Sequence, residues 1–149
     1  MFDRNLTLIS DEEFSDKQAL ITYLSNIENV NVIDPKSYKE AVLNRESVIS
    51  TSVGYNIAIP HAISSAVKTP FVIYLKLNKG LAWDGDKDIV NHIFMIGVPE
   101  IDGSNQHLKI ISELSKNLMR DKFRNNLFNA PDEESVYNLL KNIEREMMI

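Results

Sequence analysis

We predict an α/β fold for this chain, with a single domain over residues 1–149 in which a small mixed β-sheet is flanked by helices. Three observations predict it. The runs 71–77 and 89–98 have the β-branched, aromatic and apolar composition of strands. Apolar residues recur at helical spacing before and after these runs. Finally, 149 residues with 44% hydrophobic and 25% charged content suit one domain with its own core.

Composition excludes several functional classes. The net charge of −5 and the lack of a basic cluster argue against nucleic acid as a partner. The longest apolar runs, such as 93–98, are too short for direct insertion across a membrane. The first residues lack the apolar stretch of a signal peptide, so we expect a cytoplasmic protein. With no cysteine, the chain has neither a disulfide nor a thiol nucleophile.

The first third of the chain predicts two helices. Residues 1–14 show no clear pattern, and we expect their apolar side chains to dock on the domain. Ser15 and Gln18 have the spacing of a capping box, which predicts a helix over 16–27. Asp34 as N-cap and Pro35 in the first turn predict a second helix over 35–48. Its expected buried stripe is Tyr38, Val42, Leu43 and Val48.

The stretch 53–62 is expected to organise the rest of the chain. Gly54 and Asn56 tolerate positive φ, so a polar loop over 50–54 can turn sharply into the apolar strand 57–59. Pro60 lacks an N–H and is expected to end this strand. His61 would then lie at the rim of the sheet on stiff backbone. A titratable imidazole in that place indicates a site, although a lone histidine is more often structural.

The second half alternates strands and helices. Pro70 opens the strand 71–77, residues 78–88 are rich in turn signals, and 89–98 is apolar enough for a covered central strand. Trp83 is expected to pack under a loop. After a loop at 100–104, Ser104 can cap a helix, and two further helices are expected at 121–129 and from Pro131 onward. The expected inward residues of these helices are Leu108, Ile111, Leu114, Leu118, Val136, Leu139, Leu140 and Ile143.

Three histidines are the candidates for chemistry. We interpret His92, at the entry to the central strand, as structural. His107 lies in the predicted first turn of a helix, where free N–H groups and the helix dipole attract an anion. His61 is the candidate nucleophile, because the nitrogen of a neutral imidazole is a good nucleophile.

The stretch 53–62 and its surroundings resemble the phosphorylation site of fructose/mannitol-type enzyme IIA (EIIA) domains of the bacterial sugar phosphotransferase system. That pattern places an acidic or amide residue before an apolar–small pair, and then apolar-Ala-apolar-Pro-His-small. The matching residues here are Glu46, Val53, Gly54, Ile57, Ala58, Ile59, Pro60, His61 and Ala62. Arg45 stands 16 residues before the histidine, and a run beginning at His107 stands 46 residues after it. Asn56 replaces a glycine that is frequent in the family.

The resemblance implies a phosphoryl carrier with no cofactor beyond a covalent phosphohistidine. His61 would accept phosphate from the histidine-containing phosphocarrier protein (HPr) and pass it to a cysteine of an EIIB domain or subunit. Arg45 and His107 would balance the phosphoryl charge in place of a metal ion, since an arginine fork suits phosphate oxygens. The chain shows neither a glycine-rich phosphate loop nor a compact carboxylate cluster for Mg²⁺.

Several alternatives stay open at this point. A nitrogen-type regulatory EIIA would share these residues but would act by binding other proteins. A metal-dependent hydrolase using His61 and His107 lacks a recognisable ligand spacing. A purely structural protein would not need the Pro-His stretch and its two distant partners. As a hypothesis, an apolar docking ring for two successive partners surrounds His61 and comprises Ile57, Ile59, Ile63 and Phe71.

Overall fold

The structure is a computed structural model that describes the backbone of residues 1–100 and 105–147. Side chains are described within those ranges except at 105–108, 110 and 147. The strands are β1 (Phe2–Ser10), β2 (Ser52–Gly54), β3 (Ile57–Ala58), β4 (His61–Ser64), β5 (Phe71–Ala82) and β6 (Ile89–Pro99). The helices are α1 (Lys17–Ser25), α2 (Pro35–Val48), α3 (Asn105–Leu118), α4 (Asp121–Phe128) and α5 (Glu133–Met147). Residues 101–104 of the expected loop at 100–104, with Ser104 as a cap, lie outside the described residues.

The described strands form one mixed sheet in the order β1–β5–β6–β3–β2, with β4 also paired to β6. The long β5 and β6 are antiparallel to each other, whereas β1 is parallel to β5 and both β3 and β4 are parallel to β6. The prediction of a small mixed sheet flanked by helices is therefore confirmed. So is the central place of β6, whose residues 92–98 are all buried.

β3 ends at Ala58, before Pro60, as predicted, but strand pairing resumes at once in β4, so His61 lies within a strand and not beyond one. Ile57 pairs with His92 and His61 pairs with Ile96, so β3 and β4 keep one register along β6. The Pro60 carbonyl still accepts a hydrogen bond from the Ile96 N–H at 3.0 Å. The N–H that proline lacks would face the same strand, so the ladder to β6 loses one hydrogen bond at Pro60, and strand pairing is interrupted there.

The sheet separates two apolar cores. Residues of α1 and α2, including Leu20, Ile21, Tyr38 and Val42, pack with Ile73, Ile93 and Met95 on one face. Residues of α3, α4 and α5, including Leu114, Leu127 and Leu140, pack with Tyr74, Phe94 and Ile96 on the other. Neighbours along a strand point to opposite faces, so each strand of the middle of the sheet contributes to both cores.

Helix starts in the sequence were predicted well. Asp34 caps α2 by accepting from the Ser37 N–H, and Pro35 is its first residue. The first cap was misplaced by one position, because Asp16, not Ser15, caps α1 and accepts from the Ala19 N–H. The expected stripe of α2 holds for Tyr38 and Val42, but Val48 is 80% exposed.

Three strand regions differ from expectation. β1 was not predicted, and residues 52–54 form a short strand paired with β3 instead of a plain loop. β5 continues to Ala82 through a register shift between Lys76 and Leu81 that falls on the predicted turn region. The Asn91 amide donates to the Leu77 carbonyl at this irregularity, so the backbone there keeps a partner.

Candidate functional site

A tight turn leads into the candidate site. Gly54, Tyr55 and Asn56 all have positive φ, at 83°, 56° and 64°, which confirms the conformation expected of Gly54 and Asn56. The Asn56 carbonyl accepts from the N–H groups of Asn91 and His92 at 2.9 and 3.0 Å. The turn thereby fixes the start of β3 against the start of β6, four residues before His61.

His61 is the first residue of β4 and is half-buried. Its Nδ1 lies 2.8 Å from the carbonyl oxygen of Ile59. A carbonyl oxygen only accepts hydrogen bonds, so in the neutral ring Nδ1 carries the hydrogen and Nε2 carries the free lone pair. The contact therefore selects Nε2 as the nitrogen available to an electrophile.

The His61 side chain lies on the α3–α5 face of the sheet. It pairs with Ile96, whose side chain belongs to that core, and paired residues of neighbouring strands point the same way. Ala62, the next residue, belongs to the opposite core. The chain leaves β6 at Pro99, three residues beyond the partner of His61, and enters α3 at Asn105.

Arg45 lies near the end of α2, which packs along β4 on the other face of the sheet. The Tyr38 hydroxyl at the start of α2 donates to the carbonyl of Ile96, level with His61, at 2.9 Å. Near the end of α2, Glu46 accepts from Thr51, whose carbonyl accepts from the Ile59 N–H. α2 therefore runs opposite to β4 and carries Arg45 back toward β3. The Arg45 Nη1 donates to the Ile49 carbonyl at 2.9 Å, so its guanidinium is engaged at the helix end rather than on the imidazole.

His107 falls in the first turn of α3, as its sequence position predicted. Its side chain lies outside the described residues. The structure thus brings together the segments that carry Arg45 and His61, and it places the backbone of His107 on the helix that follows β6. Whether the three side chains converge on one phosphoryl group stays a prediction.

His92 is a buried structural residue, which agrees with its interpretation from sequence. It is 4% exposed, and its Nδ1 lies 2.7 Å from the Tyr74 hydroxyl oxygen. The ring also stacks on Phe128 with 3.9 Å between centroids. Burial, followed by the nearby charge of Lys76, lowers the pKa of His92 to about 4.

The docking ring expected around His61 is mostly wrong. Ile57 and Phe71 are fully buried and Ile59 is nearly so, because each fills a core of the sheet. Only Ile63, two residues beyond His61 on the same strand, is exposed, at 57%. The apolar surface beside the imidazole is therefore narrower than the sequence indicated.

Glu46 is the polar residue whose importance the sequence analysis underestimated. It is 4% exposed and accepts hydrogen bonds from Lys17, Thr51 and Trp83. Trp83 is buried as expected, and this contact satisfies its indole N–H. The spacing of Tyr38, Val42 and Glu46 could have found the network, because it places a carboxylate on the buried stripe of α2.

Neither a membrane-spanning helix nor a cluster of metal ligands is present among the residues that the structure describes. Residues 1–100 and 105–147 contain no helix with both the length and the hydropathy of a membrane span. Where side chains are described, no three histidine, aspartate or glutamate residues gather as possible metal ligands. The hydrolase alternative gains no support from these residues.

The chain is similar to known proteins in both sequence and fold. A family model described as "Phosphoenolpyruvate-dependent sugar phosphotransferase system, EIIA 2" matches residues 1–143. The fructose-specific EIIA component of Haloferax volcanii is 34% identical over 142 residues, which cover 93% of this chain and 92% of that protein.

Longer relatives match over one part of their length. The fructose-specific EIIABC component of Bacillus subtilis is 34% identical over 91% of this chain, and multiphosphoryl transfer protein 1 of Escherichia coli K12 is 32% identical over 88%. The chain spans 21% and 16% of those two proteins.

Solved structures share the fold. Nitrogen regulatory protein IIA-Ntr from Neisseria meningitidis superposes with a TM-score of 0.82 at 23% identity, over 93% of this chain and 95% of that one. Enzyme IIA-mannitol of Escherichia coli, in complex with phosphorylated IIB-mannitol, gives 0.77 at 20% identity, over 95% and 99%. At these identities the likeness concerns the fold alone.

Proposed function

This chain belongs to the EIIA type 2 family of the phosphoenolpyruvate-dependent sugar phosphotransferase system, and from that premise we propose that His61 carries phosphate between two partner proteins. The donor is the phosphohistidine of HPr, and the acceptor is the cysteine of a cognate EIIB. The observation that carries the proposal is the 2.8 Å contact between His61 Nδ1 and the Ile59 carbonyl, which leaves Nε2 as the nucleophile.

In this proposal neither phosphoryl-transfer step uses a metal ion. His61 Nε2 forms a bond to phosphorus as the phosphorus–nitrogen bond of the donor breaks, and the donor imidazole keeps that electron pair. In the second step a thiolate sulfur of EIIB bonds to phosphorus, and the pair returns to Nε2. The phosphorylated ring is an imidazolium, so Nδ1–H donates more strongly to the Ile59 carbonyl, and that contact stabilises the intermediate.

The transferring phosphoryl group spreads negative charge over three oxygens, so nearby positive charge lowers the barrier. In this proposal Arg45 releases the Ile49 carbonyl and reaches the phosphoryl oxygens around the β3–β4 edge. His107 donates from the first turn of α3, where the helix dipole also favours an anion. These roles follow the family pattern at the matching positions.

Sugar uptake, with fructose or mannitol as substrate, is the proposed physiological context. Two of the relatives above 30% identity that cover most of this chain, those of Bacillus subtilis and Haloferax volcanii, carry fructose in their names. The likeness to IIA-Ntr supports the fold and does not favour a regulatory role over transport. By this proposal the protein works in the cytoplasm, where HPr and EIIB meet it.

The test is a reconstituted relay. The protein is incubated with enzyme I, HPr and labelled phosphoenolpyruvate, and then with a cognate EIIB. We expect an acid-labile, base-stable label on the wild type and on His92→Gln, whereas His61→Ala stays unlabelled. Label that persists in folded His61→Ala would refute the assignment. Label that reaches His61 but no EIIB would favour the regulatory alternative.

A further inference from the structure

Glu46 joins three separate segments of the chain through one buried carboxylate. Its Oε1 accepts from Lys17 Nζ at 3.2 Å, from the Thr51 N–H at 3.1 Å and from the Trp83 indole at 2.8 Å. Its Oε2 accepts from the Thr51 hydroxyl at 2.6 Å. The contacts tie α2 to α1, to the strand before the site and to the loop between β5 and β6.

The carboxylate is ionised in this setting. Burial raises the pKa of Glu46, but the hydrogen bonds from Thr51, Trp83 and Lys17 together outweigh burial and leave that pKa below its usual value. An ionised carboxylate only accepts, so both donors of Thr51 are directed at it. Thr51 is itself buried, at 6% exposure, and its backbone is held from two sides.

From Thr51 the hydrogen bonds lead directly to the imidazole. The Thr51 carbonyl accepts from the Ile59 N–H at 3.0 Å, and the Ile59 carbonyl meets His61 Nδ1 at 2.8 Å. Pro60, between them, has its φ fixed by its ring. The Ile59 N–H is therefore fixed by Thr51, and the Ile59 carbonyl fixes the His61 ring.

We infer that Glu46 is a positioning residue for phosphoryl transfer. Through Thr51 and Ile59 it holds His61 in the tautomer with Nδ1 protonated and Nε2 free, and it also anchors the α2 turn that carries Arg45. The consequence for catalysis rests on the function proposed above for His61. The tautomer itself is a property of the unphosphorylated protein and can be measured without any partner.

The test is ¹⁵N NMR of the His61 ring in four folded proteins: wild type, Glu46→Gln, Thr51→Val and Lys17→Met. Thr51→Val removes a donor to Glu46 with little change in shape. Lys17→Met is the matched control, because it removes another donor to the same carboxylate and leaves the path through Thr51 intact. Glu46→Gln is the conservative variant, since an amide oxygen can still accept from Thr51.

We expect His61 to be the Nδ1–H tautomer in the wild type, in Lys17→Met and in Glu46→Gln, with a mixture of both tautomers in Thr51→Val. Glu46→Ala should show the mixture too if it folds; otherwise Thr51→Val decides alone. A single Nδ1–H tautomer in Thr51→Val would overturn the inference. An equal loss of that tautomer in Lys17→Met would overturn it as well, because general loosening would then explain the effect.

Kinetics provide the second measurement. Thr51→Val should lower the maximal rate of phosphoryl transfer from HPr by roughly tenfold, because misorientation of a reacting group costs rate, and should leave the KM for HPr unchanged. A raised KM at unchanged maximal rate would contradict positioning. If the wild type is not phosphorylated by HPr, the proposed function is refuted. The tautomer measurement then still tests independently whether Glu46 positions the His61 ring.

Discussion

The Tyr74 hydroxyl and the His92 imidazole form a hydrogen bond of 2.7 Å in the core between the sheet and α4. With Phe128 stacked on the other side of the ring, the site holds a neutral imidazole and resists a charged one. Burial first, and the positive Lys76 second, lower the pKa of His92 to about 4. This pair therefore links the stability of the fold to pH.

We predict that the fold loses stability in mild acid through His92. The unfolded chain binds a proton near pH 6.5 and the folded chain only near pH 4, so the free energy of unfolding falls as pH drops through that window. Between pH 7.5 and pH 5 the loss should be about 2 kcal/mol. Urea unfolding at the two pH values measures it.

The control for this prediction is His92→Gln, which keeps a polar partner for Tyr74 but does not titrate. Other acidic and histidine groups are common to both proteins, so the difference between their pH slopes isolates His92. Equal slopes in the two proteins would show that His92 does not couple folding to pH.

We predict that Arg45→Ala folds normally but slows phosphoryl exchange with HPr by about 10²-fold, as expected when a transition-state contact is lost. Its only described hydrogen bond is to the Ile49 carbonyl at the helix end, so little stability depends on it. Arg4→Ala is the matched control, because Arg4 pairs with Glu134 on the exposed surface by β1. Similar slowing in both variants would point to net charge instead of a site.

We predict that Ile63→Asp weakens docking of both HPr and EIIB. Ile63 is 57% exposed two residues beyond His61, and a charge there would have to lose water in either complex. Raised KM values for both partners, with an unchanged melting temperature, are the expected result. Met119→Asp is the control, since Met119 is 63% exposed at the far end of α3. Unaltered transfer in Ile63→Asp would remove Ile63 from the interface.

We predict that Gly97→Ala destabilises the fold by about 1–3 kcal/mol through overpacking. A Cβ at Gly97 would overlap the ring of Phe71, which is wedged against Tyr38 with 5.3 Å between centroids. Phe71→Leu in the same chain should reduce the cost of the added methyl group. Urea unfolding of the two single variants and the double variant measures this coupling, and strictly additive costs would contradict the overlap.

Sequence reasoning succeeded where the determinants are local. Asp34 and Pro35 start α2 by groups that lie within one turn of each other. The β-branched run from Phe71 and the apolar centre of β6 are strands on composition alone. The turn at Gly54 and Asn56 and the short strand after it were also predicted from one short motif, residues 53–62.

The features that sequence reasoning did not predict depend on residues that are distant in the chain. β1 contains Asp3, Arg4 and Asn5, which hide its alternation, and it is a strand because β5 pairs with it some 70 residues later. Strand pairing resumes at once beyond Pro60, because β6 holds the residues on both sides. Similarly, the burial of Glu46 requires Lys17 and Trp83, 29 positions before it and 37 after it.

The pairing of β1 with β5 also bears on how the protein is made. Ser10 lies opposite Leu77, so 67 residues must be synthesised before this contact can form. At ribosomal speeds that is roughly 3–13 s, during which β1 has no strand to pair with. Substitutions in this strand should therefore lower the yield of newly translated protein and raise its dependence on chaperones. These effects should be larger than the effect on the stability of the purified protein.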